Sequence, residues 1–108
     1  MASDQFVVAL TTLPADGDVE TFARQLVEEK LAACVNILPT MRSVYRWKGG
    51  VESADERQLV IKTTAARLAA LESRLRTLHP YDLPEFIVLP ITQGSVSYLS
   101  WLSDSTLP

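Results

Sequence analysis

The chain has 108 residues, a length that suits one compact domain, residues 1–108, and is too small for two independent hydrophobic cores. Hydrophobic residues make up 47% and charged residues 21%, which is the balance of a globular protein rather than of a disordered chain. Ten Lys and Arg against thirteen Asp and Glu give a formal charge of -3 with the basic residues scattered, so a dedicated nucleic-acid surface is not expected.

The first two predicted elements are a strand and a helix. Residues 5–12, QFVVALTT, are rich in β-branched and aromatic types and too uniformly apolar to alternate, which predicts a strand covered on both faces or lying mid-sheet. Asp18 is placed to cap a helix, because apolar residues recur from Val19 to Leu31 at steps of three and four.

The middle of the chain predicts a long β-hairpin. Residues 34–47 have extended character, Lys48-Gly49-Gly50 supplies turn chemistry, and a second extended run ends at residues 59–63. Each arm approaches thirteen residues, or roughly 40 Å at about 3.3 Å per residue, so the hairpin tip must overhang the sheet. Tyr45 and Trp47 share one face of this tip, which predicts that they meet another chain in a closed homo-oligomer. The alternative is that Trp47 packs on its own domain.

The last part of the chain predicts a helix, a stiff turn, a strand and a short helix. Thr64 is placed to cap a helix whose leucines recur through residues 68–78. The segment HPYDLPEF, residues 79–86, then turns the chain rigidly into a strand at about residues 85–92, because a residue before proline is pushed out of the helical region. VSYLSWL, residues 96–102, forms the final helix.

This order of elements defines the fold class. Strand, helix, strand, strand, helix and strand, followed by a small helix, predict an α+β fold of the ferredoxin-like, split βαβ kind, with two helices on one face of an antiparallel sheet. A different two-layer α+β topology stays open as the alternative.

Metal chemistry has few candidate ligands in this sequence. A metal site usually needs two or more His, Cys or carboxylate ligands, whereas the chain has one His and one Cys. We expect His79 near the surface, beside a helix C-terminus whose dipole favours the protonated ring, as a cap or interface hydrogen-bonder rather than a metal ligand. Cys34 is expected to be a buried small hydrophobe.

The charged residues give one further candidate. Lys62 lies near a strand end and Glu85 opens an apolar strand, so the two are expected to form either an interior ion pair, which is the preferred interpretation, or a pocket for a small ligand. Asp82 lies three residues before Glu85 in the turn. The chain has no G-x-S-x-G, P-loop or H-E-x-x-H motif, and we do not expect an enzyme.

The remaining features concern the packing of the last helix and the location of the protein in the cell. Tyr98 and Trp101, three residues apart on the last helix, share a face that predicts core or interface packing. The N-terminus lacks the pattern of a secretory signal and a single cysteine cannot form an intramolecular disulfide, so we expect a cytoplasmic protein. No apolar run approaches the roughly 20 residues that span a bilayer, so membrane insertion is not expected.

Several blocks, in fixed order, resemble one family. The CutA family, called divalent cation tolerance proteins, is similar to this sequence in EEKLAACVNI (28–37), SVYRWKG (43–49), QLVIKTT (58–64), LHPYDLPEF (78–86) and YLSWL (98–102). The resemblance implies a ferredoxin-like domain in a tight homotrimer akin to the PII signalling proteins, a cytoplasmic location in bacteria, no established enzymatic activity, and a loose association with copper and other divalent metals.

The metal role implied by the resemblance reaches this chain only in part. Family members credited with copper binding use a cysteine at the end of the first strand and paired histidines before the proline-tyrosine, and here Thr11, Leu78 and His79 hold those places. Only His79 can ligate, so the resemblance implies at most weak Cu(II) binding and no required cofactor.

Three functions therefore stay open. The preferred one is a trimeric protein of divalent-metal tolerance, with clefts between subunits where Tyr45, Lys62, Glu85 or Tyr98 meet a small ligand and an interface that includes Tyr45, Trp47 and Trp101. The second is a structural or regulatory trimer that presents surfaces to a partner, and the third is an enzyme without a recognisable motif.

Overall fold

A computed structural model describes residues 5–108. Its elements, in chain order, are β1 (Phe6–Pro14), α1 (Val19–Glu28), β2 (Cys34–Ile37), β3 (Met41–Trp47), β4 (Gly50–Thr64), α2 (Leu68–Leu78), β5 (Ile87–Pro90) and α3 (Val96–Ser105). This order confirms the predicted ferredoxin-like plan with a final short helix, except that the first arm of the hairpin is divided into β2 and β3.

The strands form one antiparallel sheet in the order β2-β4-β1-β5, in which β3 pairs with β4 beyond the end of β2. β1 pairs with β4 from Phe6 opposite Thr64 to Pro14 opposite Glu56. On its other side β1 pairs with the short strand β5. β1 therefore lies within the sheet, as its uniformly apolar sequence predicted.

The main core lies between one face of the sheet and helices α1 and α2. Alternate residues of β1 and β4 point to this face, and they meet leucines of both helices that are fully buried. The principal members are Ala9, Leu13, Leu26, Leu59, Ile61, Leu71 and Leu75. Each fully buried leucine stabilises the fold by about 1.5–3 kcal/mol relative to an exposed one.

α1 and α2 begin differently. Asp18 caps α1 as predicted, with its Oδ1 accepting a hydrogen bond from the Thr21 backbone N–H at 3.2 Å. Thr64 does not cap α2: it ends β4, makes no capping hydrogen bond, and is followed by a single 3₁₀ turn, Ala65–Arg67, before α2 starts at Leu68. That prediction was wrong because the sheet pairing with Phe6 holds Thr64 in extended geometry.

α3 packs on the opposite face of the sheet. Its Leu102 is fully buried against Phe6 of β1 and Ala33, in a second and smaller apolar cluster. Beyond this cluster, no helix of residues 5–108 covers this face of the sheet, which we call the open face.

The hairpin overhangs the sheet, as predicted. β4 has 15 residues, and β1 stops opposite Glu56, so Gly50–Asp55 and most of β3 extend beyond the sheet body. The domain accordingly measures 44 × 25 × 24 Å. At the tip Lys48 and Gly49 both have positive φ, 49° and 82°, which is the signature of a type I′ turn.

Prolines account for two differences from the predicted strands. The expected continuous strand over residues 34–47 breaks at Leu38–Thr40, where Pro39 has no N–H to donate to β4. β5 spans only Ile87–Pro90 instead of residues 85–92, since Pro84 holds the preceding segment outside the sheet ladder.

Candidate functional site

His79 is buried, and the prediction that it lies near the surface was wrong. Its side chain is 8% exposed and lies edge-on to the Phe22 ring, with centroids 5.9 Å apart. The ring Nε2 donates to the Thr12 carbonyl at 2.7 Å, and Nδ1 accepts from the Tyr81 backbone N–H at 3.1 Å. This assignment uses both nitrogens of a neutral imidazole. His79 therefore ties the start of the turn to the end of β1.

The direction of the His79 pKa shift also differs from the prediction. Burial lowers the pKa of the imidazole below its ordinary value, because a charged ring loses hydration in this site. The hydrogen bond to Thr12 and the negative charge of Glu56 oppose this effect but do not outweigh it. The helix dipole was expected to favour the protonated ring, whereas burial shifts the pKa in the opposite direction.

The places that correspond to the family's copper ligands do not converge on a metal site. Thr11 is fully buried, and its Oγ1 has no hydrogen-bond partner. Thr11 points to the helical side of β1 with Ala9 and Leu13, while Leu78 packs against the core. Among residues 5–108, no group of three or more His, Cys, Asp or Glu side chains could hold a metal ion. Copper would have to displace a hydrogen bond from His79.

A groove of about 950 Å³ lies between the open face of the hairpin and the turn that follows α2. We call it the acidic groove; its charged and aromatic lining residues are Tyr45, Trp47, Glu52, Glu56, Tyr81, Asp82 and Glu85. One wall of the groove consists of hairpin side chains, because alternate residues of a strand point to the same face. The proline-containing turn, residues 80–85, forms the other wall.

One buried carboxylate anchors the acidic groove. Glu56 is 7% exposed, and its Oε2 accepts a hydrogen bond from the Tyr81 hydroxyl at 2.7 Å. Burial, together with the neighbouring Glu56 carboxylate, raises the pKa of the Tyr81 phenol. Tyr81 therefore keeps its proton and acts as a neutral donor that fixes Glu56 in place.

A second carboxylate is fixed by an amide. The Nε2 group of Gln58 donates to the Thr11 carbonyl at 2.7 Å and to Glu85 Oε2 at 2.9 Å. Glu85 is half-buried, whereas Glu52 and Asp82 are exposed to solvent. The groove thus holds two oriented carboxylates and two hydrated ones.

The hairpin aromatics lie where the alternation predicted. Tyr45 and Trp47 both line the acidic groove and remain exposed, so Trp47 does not pack fully onto its own domain. The ammonium of Lys48 lies 5.8 Å from the centre of the Trp47 ring, a cation–π arrangement.

Lys62 and Glu85 do not form an ion pair within the chain. No carboxylate in the described part of the chain comes within 4.0 Å of the Lys62 ammonium, which lies 5.9 Å from the centre of the Tyr98 ring. Tyr98 and Trp101 share an exposed face of α3, with ring centroids 5.3 Å apart. The predicted pair fails because Glu85 is held at Gln58, further along β4.

Cys34 is less buried than predicted. It opens β2 as a half-buried residue, and its Sγ lies 3.9 Å from Asn36 Oδ1. It lies opposite Lys62 of β4 and belongs to the open face.

Three residues of the groove were missed from the sequence: Glu56, Gln58 and Tyr81. The alternation along β4 could have placed Glu56 and Gln58 on the face of Glu52 and Lys62. Tyr81 gave no local signal, because its contact with Glu56 joins residues 25 positions apart in the chain.

Across residues 5–108, no helix is both long enough and apolar enough to cross a membrane.

Comparison with known proteins identifies relatives over nearly the whole chain. The family described as "CutA1 divalent ion tolerance protein" matches residues 7–105. The divalent-cation tolerance protein CutA of Thermus thermophilus is 46% identical over 99 residues, 92% of this chain and 96% of that protein. A chloroplastic CutA protein of Arabidopsis thaliana is 47% identical over 100 residues, 93% of this chain and 55% of its own length.

Solved structures agree with the fold. The Thermus thermophilus CutA1 structure superposes with a TM-score of 0.90 and covers 94% of this chain and 98% of that one. A CutA structure from Archaeoglobus fulgidus, described as periplasmic, is 30% identical with a TM-score of 0.89 and covers 94% of this chain and 99% of that one. Because the family model matches residues 7–105 and a relative is 46% identical over 92% of this chain, the chain belongs to the CutA1 divalent ion tolerance protein family.

Proposed function

We propose that the chain is a homotrimeric protein of divalent-cation tolerance that acts by binding and assembly rather than by catalysis. Its relatives carry the name of divalent-cation tolerance proteins, which supports the physiological role. The described residues offer carboxylates fixed by neutral donors, an arrangement suited to recognising charge.

The observation that carries the trimer is the outer edge of the apolar strand β5, on the side away from β1. This edge has no partner strand among residues 5–108, and Ile87 and Leu89 are 48% and 47% exposed. Within the described residues, the outer edge of β3 on the overhanging hairpin has no partner strand either. An exposed hydrophobic strand edge is a template for pairing, and a closed ring of copies satisfies such edges. Trp101 and Tyr98 of α3 add exposed aromatic surface that is suited to the same interface.

Weak copper binding at His79 stays part of the proposal. The imidazole is buried and both nitrogens are occupied, so a bound Cu(II) must replace the bond to Thr12 or the bond from Tyr81. Because such a replacement costs a buried hydrogen bond, we expect low affinity.

Native mass spectrometry of the metal-free protein, titrated with Cu(II), tests both parts of this proposal. The expected result is a trimer that takes up copper weakly and saturably, with uptake lost in His79→Gln, which retains an amide donor for Thr12. Cys34→Ser is the matched control, since a thiol is the other soft ligand of the chain. A monomer would contradict the assembly, and equal copper uptake by His79→Gln would contradict the metal site.

A second candidate function rests on the acidic groove. Its volume of about 950 Å³ lies within the range of small-molecule sites, and Tyr45 and Trp47 provide aromatic surface. In this alternative the trimer binds a small ligand or a partner at the clefts, and metal effects are indirect. A ligand screen by thermal shift, repeated with Glu56→Gln, supports it if stabilisation is lost in the variant.

The cytoplasm is the location that we propose, because a chain with a single cysteine has no intramolecular disulfide of the kind found in oxidising compartments. Relatives described as chloroplastic and periplasmic make fractionation of the native host the necessary test.

A further inference from the structure

Lys62 is a cation without a counterion on an apolar surface. It is half-buried on β4, opposite Val8 of β1 and Cys34 of β2. No carboxylate among the described residues lies within 4.0 Å of its ammonium group. Covering this face by another molecule would remove water from Lys62, which is costly unless the charge meets a partner.

The acidic groove has the opposite excess of charge: its carboxylates lack basic partners among the described residues. Elsewhere on the domain carboxylates have arginine partners: Glu20 with Arg24, Glu29 with Arg74, Asp55 with Arg42 and Glu72 with Arg76. The groove carboxylates have no Lys, Arg or His partner within 4.0 Å in the described part of the chain, and no basic residue lines the groove. Their hydrogen bonds come from a phenol and an amide, which orient the carboxylates without neutralising them.

These two imbalances cannot cancel within one chain. Glu85 is bonded to Gln58, which is four residues from Lys62 along β4, or about 13 Å at the rise of an extended strand. Both sites nevertheless belong to the open face: Lys62 lies near the end of β4, and the groove extends from Gln58 towards the hairpin tip. A surface with a positive end and a negative end is complementary to a second copy of itself, placed head to tail.

We propose that, in the homotrimer on which this inference rests, Lys62 of each subunit enters the acidic groove of the next and pairs with Glu85. A neighbour thereby contributes a residue that completes the groove. The same contact, repeated around a ring, pairs every Lys62 with one Glu85 and leaves neither without a partner, and so favours a closed assembly over an open chain.

Glu85 is the partner that the surroundings favour. Glu52 and Asp82 are exposed and gain little from an ion pair, because water already solvates them. Glu56 is nine-tenths buried and already accepts from Tyr81. Glu85 is half-buried, pre-oriented by Gln58, and lies two residues before the exposed strand β5, where a neighbour would dock.

Reversing the two charges tests the contact. Lys62→Glu and Glu85→Lys each place like charges at every proposed junction, so subunits of either variant are expected to exchange at least about tenfold faster than wild-type subunits. In a mixture of the two variants, junctions between unlike chains regain opposite charges. Native mass spectrometry with one variant isotopically labelled is then expected to show mixed trimers in excess over random mixing.

Matched controls separate this contact from a general effect of charge. Glu28→Lys and Lys30→Glu reverse charges at the end of α1, on exposed residues of the helical layer, and their mixture should exchange at the wild-type rate and combine at random. The neutral variants Lys62→Gln and Glu85→Gln guard against misfolding of the reversed ones. Singly and together they should accelerate exchange to a similar degree, because each removes the same contact.

Each outcome decides the inference. An excess of mixed trimers supports it. Random mixing at wild-type exchange rates, or additive effects of the neutral variants, overturns the Lys62–Glu85 contact and leaves the trimer intact. A monomeric wild-type protein overturns the trimer itself, and the contact with it.

Discussion

Replacement of His79 by alanine should unfold the chain more easily, although the residue lies in a turn. The substitution removes the donor to the Thr12 carbonyl and the acceptor for the Tyr81 N–H, together with the edge contact to Phe22. A backbone group left without a partner in a buried site costs about 1–3 kcal/mol, and we expect His79→Ala to lower the free energy of unfolding by about 3 kcal/mol.

Two partial substitutions apportion this loss. Glutamine can donate to Thr12 in place of Nε2, and asparagine can accept from Tyr81 in place of Nδ1, so each variant should recover about 1 kcal/mol relative to alanine. Urea-induced unfolding, followed by circular dichroism at equal chain concentrations, measures the differences, because apparent stability of an oligomer depends on concentration. A His79→Ala variant within about 0.5 kcal/mol of wild type, the range of an ordinary surface substitution, would refute this account of the turn.

Further predictions concern pH, the groove, the core and the hairpin tip. In the folded chain the pKa of His79 lies below its ordinary value of 6.5, so as pH falls the unfolded chain binds a proton before the folded chain does. The free energy of unfolding should therefore decrease as pH drops below 6.5. Melting curves of wild type and His79→Gln between pH 7.5 and 5 measure this decrease. Tyr81→Phe removes the donor to Glu56 and should cost about 1–3 kcal/mol in urea unfolding. Leu75→Ala opens a fully buried site and should cost about 2–5 kcal/mol by the same assay. Gly49→Ala, at a φ of 82°, should cost about 1–2 kcal/mol through backbone strain alone, since its new methyl group meets nothing within 4 Å.

Controls for these predictions lie nearby in the chain. Gly50→Ala, at the neighbouring position without a positive φ, should change stability less than Gly49→Ala. Ser73→Ala, on the exposed side of α2, is the control for Leu75→Ala. If the melting temperature changes equally with pH in wild type and His79→Gln between pH 5 and 7.5, the assigned direction of the histidine pKa shift is wrong.

The sequence was informative wherever a pattern repeats locally. Three- and four-residue steps found α1 and α2, and alternation put Tyr45 and Trp47 on one face of an overhanging tip. The boundaries that failed depend on longer-range pairing. Thr64 resembles a cap in isolation, but its partner in β1 keeps it in the sheet. The break between β2 and β3 was not predicted, because the extended character of residues 34–47 concealed the effect of Pro39, which has no N–H to donate to β4.

The candidate site was less predictable than the fold, for a physical reason. The turn after α2 had been predicted as stiff, but stiffness alone does not say which way a side chain points. His79 turns inward because the end of β1 offers a carbonyl, and Tyr81 reaches Glu56 on a strand remote in sequence. Such contacts follow from tertiary packing, which local propensity does not encode.

The brevity of β5 bears on how the protein is made. In the proposed trimer, a newly synthesised chain exposes the apolar outer edge of β5 until it meets other copies, and such an edge is also a template for aggregation. The strand is only four residues long, with Pro84 before it and Pro90 at its end. The two prolines thus limit the length of the exposed strand edge, which reduces the risk that an unassembled chain pairs with the wrong strand and aggregates.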